Sequence, residues 1–322
     1  MHTMSTDLTP PRIHLRFTDK VLSLLAWAIA IGLFVSVGWM AVQPDDPAGA
    51  VSLLTRSQPW WSAVQVLFLS AIVAGLATVL IGRQLPDAGV FAVGIGLAAL
   101  ALGGDTTRYL LVTVAGGDAA IRTDLAWNLA WEVLVWFLAI LTAMVVSGWV
   151  MRWYSGDAPA TTRSMSLAEM PGLKRLLPSD DRIAGSLAGL RTTAICLAAA
   201  ALLFGLLATG SPLRSVQHGQ VYFALVAAFY VAGWIGYELF PAPTPLWGCL
   251  AVPLLGVLGY LYCAVSSPSA GDYSRIASVP PSVFYRALPI EYVSVGTAAM
   301  LASFWSVRKA AAIRQAHAKP HP

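Results

Sequence analysis

The chain has 322 residues, of which 57% are apolar and only 11% charged, and its formal net charge is +4. A soluble globular protein carries about 25% charged residues, so this composition excludes an ordinary water-soluble domain. The small positive balance, spread over several connections, also gives no basic groove for a nucleic acid.

The apolar residues come in blocks long enough to cross a bilayer, which takes about 20 residues of helix. An all-α integral membrane protein is therefore expected, with the lipid bilayer as its main partner. The first 20 residues are mostly polar and form a tail. Block 21–42 follows; it is too long for the apolar core of a cleaved signal peptide and is expected to remain as the first span. Further blocks cover 60–81, 88–102, 125–150, 193–209, 221–240, 246–265 and 288–305, which makes eight spans. They fall into a membrane unit over 21–150, a connecting segment over 151–192, a second membrane unit over 193–305 and a basic tail over 306–322. Segments 82–87 and 241–245 are tight, proline-bearing turns that join antiparallel helices. Within the connecting segment, Ser179-Asp180-Asp181-Arg182 offers a capping serine and first-turn acids, and Ile183, Leu187 and Leu190 recur on one face. A short helix leading into the fifth span is expected there. Its stripe suits a stem that continues the span, the membrane surface or a protein partner.

Lysine plus arginine number 3 in the first tail, then 1, 1, 2, 6, 1, 0 and 2 in successive connections, and 4 in the last tail. Fourteen lie on one side of the membrane and six on the other. Positive charge stays in the cytoplasm, so both termini and the connecting segment are expected inside. Trp60, Trp61 and Trp127 at outer ends, with Trp149, Trp153, Trp247 and Trp305 at inner ends, fit aromatic belts at headgroup depth. Arginine outnumbers lysine sixteen to four. That bias accompanies GC-rich bacterial genomes and points to a bacterial cytoplasmic membrane.

Several short phrases recur in order. Arg56-Ser57 stands 17 residues before Val73-Ala74-Gly75, and Arg214-Ser215 stands 17 residues before Val231-Ala232-Gly233. Residues 104–108 read GDTTR and 271–275 read GDYSR; Leu129-Ala130-Trp131-Glu132 is then echoed by Leu288-Pro289-Ile290-Glu291. The expected architecture is therefore two parallel four-helix repeats. Each has an even number of crossings, so the two copies relate by an axis along the membrane normal.

Few ionisable residues reach the hydrocarbon. Glu132 lies about 8 Å outward of the centre of the fourth span, at 1.5 Å per residue. Such a charge costs about 2.5–3.5 kcal/mol on insertion scales, so it is expected to face a bundle interior or a wet cavity. Glu291 is its counterpart nearer the outer surface, and Arg108, Arg275, Asp105 and Asp272 lie on that same side. In a functional reading these six line an outer vestibule that attracts cations, protons or an anionic group. In a structural reading each aspartate caps a short helix and each arginine pins it to headgroups or to the nearby glutamate.

Glu238, near the inner end of its span, is expected to reach toward water. Cys196, Cys249 and Cys263 sit inside apolar blocks and read as small core residues. His218 is on an outer connection, and no histidine has a ligand spacing, so no metal and no cofactor is expected. Hydrolase, metalloprotease, Walker and dinucleotide motifs are missing, which weighs against an enzyme. Three classes stay open: a permease-like carrier for a small molecule or ion with its path between the repeats; a scaffold whose 151–192 segment recruits a protein; and an outer-face lipid- or glycan-modifying enzyme.

Overall fold

The computed structural model describes residues 17–46, 49–82, 85, 87–114, 119–155, 180–208, 217–240, 242, 244–266 and 282–318. Eight long helices carry the architecture: α1 Phe17–Val42, α2 Pro59–Ile81, α3 Ala88–Ala101, α4 Ala119–Ser155, α5 Asp180–Leu207, α6 His218–Leu239, α7 Leu246–Val265 and α8 Pro289–Ala318. Among the described residues there is no strand, only an isolated bridge between Ala50 and Asp105. Seven of the helices are long and apolar enough to cross a membrane, and the chain is a multi-pass helical membrane protein. The eighth, α3, has 14 residues and is a shorter apolar helix.

Local sequence explains where the helices begin. Pro59 opens α2 and Pro289 opens α8, each at a first-turn position whose missing N–H removes nothing from the helix. In α8, Glu291 turns its carboxylate back onto the Leu288 N–H at 2.7 Å, which is half of a capping box. α1 widens into a π-turn over Phe34–Gly38. The fifth span and the expected helix before it form one unbroken α5, so that helix is a stem. α8 likewise runs past residue 305 into what the sequence suggested as a tail.

Packing is organised by small residues. α2 lies against α1, α3 and α4; α6 lies against α5 and α8; α7 lies against α5 and α8. Between the first four helices and the last four, α3 packs on α8, α4 on α7, and α4 on α8. Gly94 of α3 meets Ser294 and Ala298 of α8, and Gly256 of α7 meets Val133 of α4. The repeated Val-Ala-Gly phrase has the same job twice: Gly75 faces Val146 of α4 and Gly233 faces Ser303 of α8. Without water to drive association, membrane helices gain from such close approach. Large apolar side chains such as Phe68, Leu202 and Phe223 point outward, as lipid contact requires.

Five of the expected belt tryptophans, Trp60, Trp61, Trp127, Trp149 and Trp153, are exposed on the surface. Trp247 and Trp305 are not. Trp247 covers Gly189 of α5, and Trp305 closes an aromatic chain with Phe91 and Trp27 at centroid distances of 5.0 and 5.2 Å. Helical spacing alone does not tell a headgroup tryptophan from a packed one. All three cysteines are buried, and none is in a disulfide.

At the end of the bundle carrying the 82–87 turn, Asp87 is buried beside Trp305 and Arg308. Glu238 makes a two-pronged pair with Arg314, at 2.6 and 3.0 Å, in water-accessible surroundings. Burial pushes the Asp87 carboxyl up to about 6, against the lowering influence of Trp305 and Arg308.

Two outcomes are expected. A side chain at Gly96 would enter the Phe34 ring; Gly96→Ala should destabilise the bundle by roughly 1–3 kcal/mol, with partial recovery on adding Phe34→Leu, as read by thermal unfolding in detergent. For Asp87, the folded protein keeps a proton that the unfolded chain releases from 3.8 upward, so stability falls as pH rises toward about 6. Asp87→Asn should therefore melt higher than the wild type at neutral pH, and the gap should close in acid.

Candidate functional site

The opposite end of the bundle gathers the irregular segments: residues 43–46, 49–58, 102–106, 217 and 282–288. Backbone there has left its helices and must find partners inside the protein. Glu132 supplies one acceptor. Its Oε1 accepts from the Leu53 N–H at 2.9 Å and from the Trp136 indole N–H at 2.8 Å; its Oε2 accepts from the Ser52 hydroxyl at 2.6 Å. Ser52 Oγ in turn accepts from the Leu54 N–H at 3.2 Å and caps the 3₁₀ turn Leu53–Thr55. Trp136 is one turn along α4 from Glu132, the spacing at which helical side chains meet. Glu132 is 3% exposed, and its carboxylate ties this turn down onto α4.

Glu291 does the same for another segment. Oε2 accepts from the Leu288 N–H, while Oε1 lies 2.6 Å from Nδ1 of His218, the first residue of α6. The other ring nitrogen, Nε2, lies 3.0 Å from the Gly104 carbonyl oxygen. Glu291 is 1% exposed. Tyr260 is within electrostatic reach of both glutamates and donates to the Ala287 carbonyl at 2.5 Å. It packs edge-on against Tyr285 and Tyr292.

The two glutamates thus occupy one polar layer, and of the other candidates only Asp105 and Arg108 are among the described residues. Asp105 is exposed; its carboxylate accepts from the Thr106 N–H at 2.7 Å, and its own N–H donates to the Gly49 carbonyl at 3.0 Å. The short helix Thr107–Tyr109 is capped at Thr106, so Asp105 is not its cap. Arg108 is exposed. Asp272, Arg275 and the Arg214-Ser215 pair lie outside the described residues. What the GDTTR phrase does is join the two groups of four helices. Gly104 offers its carbonyl to His218, and the Thr107 hydroxyl donates to the Arg286 carbonyl at 3.2 Å. Arg56 of the first Arg-Ser phrase closes its own loop through the Gln43 carbonyl, Asp45 and Ser62.

A second polar feature runs down α8. The hydroxyls of Ser294, Thr297 and Ser303 are fully buried and have no hydrogen-bond partner among the described residues; the same holds for Ser70 on α2, whereas the Trp305 indole reaches the Asp87 carboxylate. Buried polar groups are nearly always paired, so these hydroxyls set a polar strip inside an otherwise apolar helix. From Glu291 to Trp305 this track spans about 21 Å at 1.5 Å per residue, and Asp87 and Arg308 stand at its far end. The sequence gives no local sign of it, because single serines and threonines in apolar helices commonly bond their own backbone, as Ser306 does to Ala302. His218 was legible only as a lone histidine near a span. Compared with protein-family models, with curated proteins and with solved structures, the chain matches none.

Glu132 can be tested as a structural acceptor. Glu132→Ala leaves the Leu53 and Trp136 donors buried and unpaired, and should cost roughly 2–4 kcal/mol in thermal unfolding. Glu132→Gln keeps one oxygen for them and should cost clearly less.

Proposed function

We propose that the chain is a permease-like carrier of a bacterial cytoplasmic membrane. It consists of two parallel four-helix repeats, α1–α4 and α5–α8, with both termini inside and a solute path along the seam between them. The observation that carries the reading is the buried polar track on α8, a helix that packs across that seam, with ionisable groups at both ends of the track. A bundle needed only for structure gains nothing from hydroxyls left unpaired in its core.

The packing supports the duplication. The seam contacts α3–α8 and α4–α7 exchange under a two-fold operation, and α4–α8 maps onto itself. α1 and α5 are the most lipid-exposed helices of their groups, and α2 and α6 follow. Glu132 and Glu291 each reach from the fourth helix of a unit to the chain entering its second helix. A scaffold is the second reading; it is favoured by Glu132, whose bonds are all supplied from within its own unit. In that case the 151–192 segment would hold the protein partner.

Purified protein in sealed liposomes loaded with a mixed bacterial metabolite extract should deplete one solute class, detected by mass spectrometry against protein-free liposomes. The variant Ser294→Ala/Thr297→Val/Ser303→Ala should unfold at the wild-type temperature or above, yet deplete that solute at least about tenfold more slowly. No depletion by the wild type, or equal rates in both, would overturn the carrier reading. Loss of a co-purifying protein on shortening the 151–192 segment would establish the scaffold.

A further inference from the structure

The hydrogen bonds around His218 fix a proton count. Gly104 offers a carbonyl, which only accepts, so Nε2 must carry a hydrogen at the observed 3.0 Å. The 2.6 Å contact between Nδ1 and Glu291 Oε1 then holds one further proton, on the ring or on the carboxyl. The Leu288 N–H occupies Oε2 and orients the carboxyl group. Remove that shared proton and a single ring N–H faces two acceptors. It can serve Glu291 or Gly104, but not both. The bond to an ionised carboxylate is about twice as strong as the bond to a neutral carbonyl, so the ring keeps Glu291 and gives up Gly104.

Gly104 belongs to the first unit and His218 to the second. Hydrogen bonds from Tyr222 to the Ala98 carbonyl at 2.6 Å and from Thr107 to the Arg286 carbonyl at 3.2 Å also join the units at this end, and both come from neutral hydroxyls. The groups facing the pair are Asp105 from the first unit and Tyr222 on the histidine's own helix, with Tyr260 of α7 and Tyr292 of α8 beside Glu291.

We propose that His218 and Glu291 form a proton-binding site whose occupancy latches the two units together at this end of the seam, so that the carrier is proton-coupled. A proton entering from solution goes to the Nδ1···Oε1 pair and restores the bond to Gly104; its departure releases that bond. The coupling rests on the carrier reading, whereas the latch does not.

The test uses the full chain in lipid nanodiscs, with spin labels at Asn128→Cys and Gln220→Cys, one in each unit, and the three native cysteines replaced. Distances are read by double electron–electron resonance at about pH 5 and pH 8, the range a histidine spans. The wild-type distance should lengthen by several ångström at the higher pH. In Glu291→Gln the amide N–H donates permanently to Nδ1 and the amide oxygen keeps Leu288, so the distance should stay short at both pH values. In His218→Gln it should lose its pH dependence. A pH-independent wild type, or an unaltered response in Glu291→Gln, overturns the latch. Solute movement that ignores an imposed proton gradient overturns the coupling alone, and a working latch without any solute movement overturns the carrier reading alone.

Discussion

Hydrocarbon offers no hydrogen bonds, so chain that leaves its helix at membrane depth has to be satisfied by the protein itself. In this bundle that constraint falls on two carboxylates. Glu132 takes the Leu53 N–H and Glu291 takes the Leu288 N–H, each fastening an irregular segment to the fourth helix of its unit. What differs is the remaining donor set. Glu132 is completed by a serine hydroxyl and an indole, which hold their protons over the whole biological range. Glu291 is completed by an imidazole, which does not. The two carboxylates therefore carry unequal chemistry. Only the imidazole partner of Glu291 goes on to meet the Gly104 carbonyl of the first four helices.

The rest of the architecture follows from how closely helices can approach. Gly94 and Gly256 bring α3 onto α8 and α7 onto α4, and Gly75 and Gly233 bring the second helix of each unit onto the fourth. These contacts leave little free space for side chains on α8. Hydroxyls buried there without partners carry a cost that packing elsewhere has to offset.

Much of this was legible in the sequence, and the parts that were not share a physical reason. Long apolar blocks marked the helices because a bilayer sets their length, and the rarity of charge within them singled out Glu132 and Glu291. The Val-Ala-Gly phrases were read as signs of duplication, and their glycines lie at helix crossings. Trp247 and Trp305 were misplaced because an amphipathic ring is equally at home under a headgroup and against a glycine. The meeting of His218 with Gly104 was hidden because the two are 114 positions apart. Of the charges drawn around an outer vestibule, Asp105 and Arg108 are exposed, and Asp272 and Arg275 lie outside the described residues.

α3 has a consequence for how the protein is made. At 14 residues it is too short to span alone, and its glycine- and alanine-lined surface is covered by α1, α2, α4 and finally α8. The ribosome delivers α8 after all the others that cover α3. Until then one face of α3 has only lipid against it, and lipid chains cannot fill the grooves that Ser294 and Ala298 later occupy. Packing of the first four helices thus stays unfinished until α8 has emerged, and a chain cut short before α8 should be a substrate for membrane quality-control proteases even with those helices intact.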